Sequence, residues 1–387
     1  ENPVMLYLAI DQHAKQITVC VRNEVGDTVL RRQVSTRPEK IEAFFGQFTE
    51  MDAEYMAILE VCGFNDWLIE ELRKWECREI VLIHPEKPSK KKTDRRDAQK
   101  LADLLWINRQ RLADGQIVRG IRRVYMVTQQ EREDRQLTSL RKTLGHRRTR
   151  TLNKIHRIVN RHNLIWQYPT KTFQTRAGRS WLAKVPLPVI DRLEMDTLLK
   201  EWETCDEQIS LVDEEIIQRA SRSVPDSVLN PTQILMTTPG VSCYSGLTLA
   251  SRIGPIERFP RSRSLANYFG LTPGCRNSGN AQDRLGSITK QGSKTARFIL
   301  GQLVVHILTH DPKMRNWYRS IKRRRGSKIA CVAVMRQLTT IVWYMLAYSE
   351  PYTIGGPPPR LRVQQASWLR GSGSASRLHS PTAIVGQ

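Results

Sequence analysis

Four acidic residues stand where they could hold divalent metal ions for chemistry on a phosphodiester. Asp11 and Glu60 each end an apolar run, whereas Asp94 and Asp97 lie three residues apart in a strongly basic segment. Four converging carboxylates repel one another, and two divalent cations about 3.5–4 Å apart would remove that repulsion, activate a nucleophile and stabilise a leaving oxygen. The pattern therefore predicts a two-metal site formed by these four side chains.

A simpler interpretation exists for each acid taken alone. An aspartate at the end of a strand is most often a turn former or a helix cap. Asp94 and Asp97 would also be favoured in the first turn of a helix by the helix dipole. The metal hypothesis therefore depends on the four residues as a set and on the elements that position them.

The apolar pattern in the first third of the chain indicates those elements. Short β-rich runs predict strands at 6–10, 17–21, 28–34, 55–59 and 80–83. A hairpin turn is expected at 23–27. Helical spacing predicts helices at 38–48, at 65–75 and from about residue 93. Three strands followed by β-α alternation indicate an α/β domain with a mixed sheet, in which Asp11 and Glu60 emerge at carboxyl strand ends, where such sheets bind ligands.

The chain is strongly basic, because 61 Lys and Arg residues against 38 Asp and Glu give a net charge of +23. This charge is spread along the chain and not concentrated in one lipid-seeking helix, which favours nucleic acid over a membrane surface as the partner. The basic residues expected to contact phosphates are Lys90, Lys91, Lys92, Arg95, Arg96, Arg147, Arg148, Arg150, Lys290, Lys322, Arg323, Arg324 and Arg325. Their charge alone does not distinguish RNA from DNA.

The sequence predicts four regions. They are an α/β catalytic domain at 1–125, a helical region at 126–228, a mainly α-helical domain at 229–348 and a Pro-, Gly- and Ser-rich flexible tail at 349–387. The helical region contains a basic helical pattern over 137–159 and a more acidic one over 193–219. The two helices could pack within the chain or form a coiled coil between protomers.

Other classes of protein are disfavoured. We find no uninterrupted apolar stretch near the ~20 residues of a bilayer span and no signal-peptide pattern, so a cytoplasmic protein with no membrane partner is expected. The seven cysteines form no C-x-x-C pair. Reduced structural thiols are therefore expected in place of a zinc site or a disulfide framework.

The C-terminal third contains a second set of short motifs. Thr238-Pro239-Gly240-Val241 resembles one half of a helix-hairpin-helix, although a plain helix-loop-helix would give the same pattern. Ser278 lies in Arg276-Asn277-Ser278-Gly279-Asn280, which by chemistry alone reads as a turn. No His or Lys at an obvious spacing supplies a base to activate the Ser278 hydroxyl.

These motifs together resemble a known family. The segments 9–15, 60–63 and 92–98 resemble the RuvC-like (RNase H-like) DEDD domain of the insertion-sequence transposases of the "one-ten" family, which are bridge-RNA-guided recombinases. The segments 238–241, 270–273, 277–279 and 288–292 are similar to the C-terminal transposase domain of that family, in the same order. Two positions depart from the family pattern, since Arg276 replaces a frequent aromatic residue and Ala9 a frequent glycine.

The resemblance implies a serine recombination mechanism. Ser278 would be the nucleophile that becomes attached to DNA, and Asp11, Glu60, Asp94 and Asp97 would hold Mg²⁺, with Mn²⁺ as the alternative metal. The implied partners are target and donor DNA, a structured noncoding guide RNA, and further copies of the chain that form dimers and then tetramers on DNA. The implied active site is assembled between domains or between protomers.

Two other functions remain open from the sequence. One is a metal-dependent endonuclease of the Holliday-junction type, in which water replaces Ser278 as the nucleophile. The other is a noncatalytic RNA- or DNA-binding protein whose acids only cap helices.

Overall fold

A computed structural model describes residues 4–51, 53–85, 94–222, 229–275 and 285–354. Within these ranges, Asp94, Arg95, Cys275 and Leu285 are described by their backbone alone. The chain forms two compact units, Glu1–Met126 and Val127–Gln387. The expected flexible tail lies largely outside the described residues.

The first unit is built on a five-stranded sheet with the order β3-β2-β1-β4-β5. The strands are β1 (Val4–Gln12), β2 (Gln16–Arg22), β3 (Thr28–Ser35), β4 (Ala53–Glu60) and β5 (Glu79–Ile83). β1, β2 and β3 pair antiparallel, whereas β1, β4 and β5 pair parallel. The predicted mixed sheet is therefore confirmed.

Helices cover both faces of this sheet. They are α1 (Pro38–Glu50), α2 (Asp66–Lys74), α3 (Asp94–Ile107) and the short α4 (Arg109–Ala113). Alternate residues of a strand point to opposite faces. Leu8 and Ile10 of β1 accordingly pack in the core formed with α1 and α2, while Tyr7 and Ala9 pack in the core formed with α3. Asp11 continues the Tyr7 and Ala9 series, so its side chain belongs to the α3 side of the sheet.

The described residues of the second unit are mostly helical. Its helices are α5 (Gln129–Arg161), α6 (Arg176–Lys184), α7 (Val189–Ala220), α8 (Pro231–Met236), α9 (Cys243–Ile253), α10 (Ser262–Tyr268), α11 (Lys294–His310), α12 (Pro312–Arg325) and α13 (Ser327–Tyr348). β6 (Pro273–Cys275) and β7 (Leu285–Ile288) form a two-stranded antiparallel sheet. The helical C-terminal region that the sequence predicts is confirmed.

The long helices α5 and α7 pack against each other as an antiparallel pair. Arg161 at the end of α5 pairs with Asp191 at the start of α7, and Arg219 near the end of α7 pairs with Asp134 in the first turns of α5. The basic and acidic patterns of the sequence thus meet within one chain. A coiled coil between protomers stays a prediction.

The Arg219 guanidinium is the main polar contact at one end of this pair. It donates to Asp134 at 2.8 Å, Glu133 at 3.1 Å and Glu215 at 2.6 Å. The hydrogen bond with Asp134 is the largest cause of the raised pKa of Arg219. Since Asp134 is buried, removing Arg219 would leave its carboxylate without its cation.

We expect Arg219→Ala to lower the free energy of unfolding by about 3 kcal/mol, because a buried charge loses its partner. Urea denaturation would measure the change. The control is Arg78→Ala, since Arg78 forms an exposed pair with Glu54 and should cost less than about 1 kcal/mol. An equally small loss of unfolding free energy in both variants would show that the contact between Arg219 and Asp134 does not stabilise the packing of α5 on α7.

Helix α13 is the one helix among the described residues that is long and apolar enough to cross a membrane, which the sequence analysis did not anticipate. Its most apolar window is 56% buried inside the protein. Val334, Leu338 and Ile341 pack with α11 residues in the core of the second unit. This degree of burial is typical of a helix in the core of a globular domain.

Candidate functional site

Asp11 and Glu60 lie at the same edge of the sheet. Ile10 of β1 is in register with Leu59 of β4, and the two strands are parallel. The next residue on each strand is therefore an acid, on neighbouring strands about 4.8 Å apart. Met56 and Ile58 pack on the α3 side, so the alternation assigns Glu60 to the same face as Asp11.

A buried amide network joins these two strand ends. The Asn65 side chain is 4% exposed, and its Nδ2 donates to Gln12 Oε1 at 2.8 Å and to the Glu60 carbonyl at 3.1 Å. Its Oδ1 accepts from the Cys62 backbone N–H. Gln12 in turn donates to the Phe64 carbonyl at 3.0 Å. These bonds hold β1 against the loop after β4, and sequence reasoning missed both Gln12 and Asn65.

Asp97 lies on the helix that covers this face. Its side chain is 22% exposed, and its Oδ1 is 4.0 Å from Lys100 Nζ. Its Oδ2 is buried with no hydrogen-bond partner among the described residues. A buried carboxylate oxygen without a partner costs free energy unless a cation or water contacts it.

A second unpaired oxygen belongs to the same region. Thr18 is 1% exposed, and its Oγ1 has no hydrogen-bond partner in the described part of the chain. Thr18 is the cross-strand partner of Asp11. Its position two residues from Cys20, which packs in the α3 core, assigns it to the same face as Asp11.

These donors fit a hard divalent cation in type, because carboxylate and hydroxyl oxygens are the ligands of Mg²⁺ and Mn²⁺. Over the ranges described, however, no three His, Cys, Asp or Glu side chains form a group that could hold a metal ion. The fourth predicted ligand, Asp94, begins α3, and its side chain is not described. Burial raises the pKa of the Cys62 thiol, so this nearby sulfur is a neutral group and not a thiolate ligand.

Ser278 lies outside the described residues, in the segment that connects β6 to β7. The base of this hairpin is held by backbone hydrogen bonds, from Lys290 N to Gly270 O at 3.1 Å and from Thr289 N to Thr272 O at 3.0 Å. Arg297 of α11 adds a side-chain contact, since its Nη1 donates to the carbonyls of Phe269 and Gln291. The base of the hairpin, at Phe269 and Gln291, is therefore fixed to α11.

The turn between α8 and α9 contains the Thr238-Pro239-Gly240-Val241 motif. Gly240 has a φ of +84°, and Ser242 caps α9 by accepting from the Ser245 backbone N–H. This is a short helix, a tight turn and a second helix. The helix-hairpin-helix and the plain helix-loop-helix that the sequence allows both contain this arrangement.

The basic residues predicted to contact phosphates are found in several settings. Lys90, Lys91 and Lys92 lie outside the described residues, and the Arg95 side chain is not described. Arg147 pairs with Glu201, and Arg148 with Asp206. Exposed side chains belong to Arg96, Arg150, Lys290 and the last turn of α12, which contains Lys322, Arg323, Arg324 and Arg325.

Two family models match the chain. A model described as the Transposase IS116/IS110/IS902 family matches residues 232–319. A DEDD transposase model named for IS110 matches residues 8–163. The first range includes the β6–β7 hairpin, and the second includes all four predicted metal-binding acids.

Individual proteins match over most of the chain. The transposase for insertion sequence element IS1111A of Coxiella burnetii is 27% identical over 308 residues, covering 77% of this chain and 79% of the relative. A Sinorhizobium fredii protein designated transposase y4pF/y4sB is 24% identical over 341 residues, covering 85% of this chain and 81% of the relative. Both units of the structure therefore have counterparts in proteins named as transposases.

Proposed function

The chain belongs to the IS116/IS110/IS902 family of transposases, and we propose that it is an RNA-guided DNA recombinase encoded by an insertion sequence. Asp11, Glu60, Asp94 and Asp97 hold divalent metal, with Mg²⁺ as the expected ion. Ser278 is the nucleophile. A structured noncoding RNA selects target and donor DNA by base pairing.

The observation that carries this proposal is the shared edge of Asp11 and Glu60 beneath α3, together with the unpaired buried oxygen of Asp97. DEDD transposase domains generally use divalent metal. Oxygen donors from two neighbouring strands and a covering helix supply the hard ligands that such an ion takes. Bound metal would withdraw charge from the phosphodiester and lower the pKa of a coordinated hydroxyl.

The protein's own groups perform the remaining steps. Ser278 Oγ forms a bond to phosphorus, and the bond from phosphorus to the leaving deoxyribose oxygen breaks. The seryl proton is lost as that oxygen gains one. A second strand end then attacks the phosphoserine, so that DNA is rejoined without net hydrolysis and Ser278 is regenerated.

The experiment that tests this proposal is a strand-exchange assay on DNA that flanks the coding region. Protein purified with its associated RNA and supplied with Mg²⁺ should yield rejoined strands of donor and target. Cleaved strands with no rejoined product would support the nuclease, in which water is the nucleophile. A dependence of product formation on the RNA would support guidance by base pairing.

We expect Asn65→Ala to weaken Mn²⁺ binding about 10-fold, because the amide fixes the strand ends that present Asp11 and Glu60. Electron paramagnetic resonance of free Mn²⁺ would measure the affinity. The control is Asn108→Ala, whose amide donates to Leu104 at the far end of α3 and should leave Mn²⁺ binding unchanged. Unchanged Mn²⁺ affinity in folded Asn65→Ala would contradict a positioning role for this network.

A further inference from the structure

From Arg141 onward, the Lys and Arg side chains of α5 fall into two sets according to their partners. Arg141, Arg147, Arg148 and Arg161 each contact an acid of α7. Lys142, Arg150, Lys154 and Arg157 form no ion pair within the described part of the chain. The acidic helix α7 thus pairs with four of these cations and leaves Lys142, Arg150, Lys154 and Arg157 without an acidic partner in the described residues; Arg161, four residues after Arg157, is where the pairing with α7 begins on their face.

The second set forms a continuous line on the helix surface. Lys142, His146, Arg150, Lys154 and Arg157 follow one another at intervals of four, four, four and three residues. Residues at these intervals share one face of a helix. All except the half-buried Lys142 are exposed, while Leu144 and Ile155 are buried on the opposite side. We call these five residues the α5 track.

The α5 track continues to the N-terminal end of α11. Lys142 Nζ donates to Thr295 Oγ1 at 3.2 Å and lies 5.6 Å from the centre of the Phe298 ring. The His146 ring is 6.2 Å from the same phenyl ring, which is itself 41% exposed. Lys290 and Lys294, beside this junction, are exposed.

The track therefore begins beside the hairpin whose connecting segment contains Ser278. Lys290 N donates to Gly270 O at the base of that hairpin, and α11 starts four residues after Lys290. Nucleic acid held by the hairpin and by the track would share one continuous line of positive charge. Phe298 adds an exposed aromatic face, which can stack on a base at a strand end.

We propose that the α5 track binds the phosphodiester backbone of a nucleic-acid duplex that extends away from the Ser278 hairpin. At 1.5 Å per residue, the line from Lys142 to Arg157 is about 22 Å long. At 3.4 Å per base pair, that length matches about six base pairs. Lysine and arginine on one helix face contact phosphates without reading base sequence, so the track binds duplexes of any sequence.

This inference names a surface for the partner in the proposed function and rests on that function only for the direction of the duplex. Binding needs no turnover, and the test can be made without divalent metal. A protein that binds through the track but exchanges no strands would overturn the proposed function and leave this inference standing. Strand exchange by a protein whose affinity for duplex does not depend on the α5 track would overturn this inference and leave the proposed function standing.

The test compares two triple variants of the full chain that lose the same charge. One is Arg150→Gln/Lys154→Gln/Arg157→Gln, on the track. The control is Lys171→Gln/Arg176→Gln/Lys184→Gln, whose three exposed side chains lie in and beside α6 and also lack an ion pair in the described residues. Circular dichroism melting checks that both variants remain folded.

Fluorescence anisotropy with a 20-base-pair DNA of arbitrary sequence gives the affinity at several salt concentrations. Each phosphate contact contributes about 0.9 to the magnitude of the slope of log K against log salt concentration. The track variant lacks three cationic side chains, so the magnitude of its slope should be about 2.7 smaller than that of the parent protein. The control variant should keep the parent slope within about 0.5. Equal losses in the two variants, or no loss in either, would overturn the proposal.

The same titration with an RNA hairpin of equal stem length distinguishes the two sources of duplex. A reduced slope with DNA alone assigns the track to target or donor DNA. A reduced slope with the RNA hairpin alone assigns it to a stem of the guide RNA. A reduced slope with both ligands shows that the α5 track binds DNA and RNA duplexes alike, through the phosphodiester backbone that they share.

Discussion

Asp97→Asn should abolish strand cleavage and exchange while leaving the protein folded. We expect the rate to fall at least about 1,000-fold, which corresponds to about 4 kcal/mol of transition-state stabilisation. The structural reason is that Asp97 Oδ2 is buried with no hydrogen-bond partner among the described residues, while Oδ1 contacts only the exposed Lys100 at 4.0 Å, a pair that contributes little to stability. Strand exchange on flanking DNA and thermal melting would measure the two effects.

A matched control lies six residues further along the same helix. Asp103 forms an ion pair with Arg22, and its Oδ1 also accepts from Gln99 at 3.0 Å. Asp103→Asn should therefore lower the stability of the first unit and leave the rate per folded molecule unchanged. Nearly full activity of Asp97→Asn would contradict metal binding by Asp97. It would favour the simpler interpretation, in which Asp97 only stabilises the first turn of α3.

Gly292→Ala should destabilise the second unit and abolish activity with it. Gly292 has a φ of +77°, and a Cβ added there would lie 1.9 Å from the carbonyl oxygen of Tyr268. The unfavourable φ and the backbone clash together should cost about 3 kcal/mol. Because Tyr268 and Gly292 flank the hairpin on its two sides, relief of the clash would also disturb the backbone hydrogen bonds at its base, such as Lys290 N to Gly270 O. Urea denaturation and the strand-exchange assay would measure both losses.

Gly301→Ala is the appropriate control, because Gly301 lies inside α11 and a Cβ added there meets no atom within 4 Å. This substitution should stabilise the protein by about 0.5–1 kcal/mol, since alanine loses less conformational entropy than glycine in a helix. A Gly292→Ala variant as stable as Gly301→Ala would mean that the backbone contact at the base of the hairpin is not maintained in solution.

The mixed sheet and the position of two candidate site residues, Asp11 and Glu60, could be predicted from the sequence. Apolar runs such as 6–10 and 55–59 are short and bounded by turn residues, which favours buried strands, and the acids that end them fall at the same edge because β1 and β4 are parallel. Leu101, four residues after Asp97 on one stripe of α3, packs in the core on the same face of the sheet, as the helical spacing predicts.

Other parts of the site depend on contacts between distant residues. Asn65 and Gln12 resemble ordinary loop amides in the sequence, and only the approach of β1 to the loop after β4 shows that they bond to each other. The weak signal available was the position of Gln12 directly after Asp11. Arg147 and Arg148, which stay predicted phosphate contacts, also pair with Glu201 and Asp206; the sequence does not show these pairs because the acids are more than 50 residues away and reach them through the packing of α5 on α7.

The most direct test of the serine mechanism is the identification of a covalent protein–DNA adduct. The protein with its associated RNA would be incubated with Mg²⁺ and nicked flanking DNA, separated on a denaturing gel and mapped by mass spectrometry. We predict an adduct on the peptide that contains Ser278, lost in Ser278→Ala and retained in Ser287→Ala, a serine of strand β7 in the same hairpin. Cleaved DNA that forms equally well in Ser278→Ala, with no adduct in the parent protein, would contradict the serine mechanism.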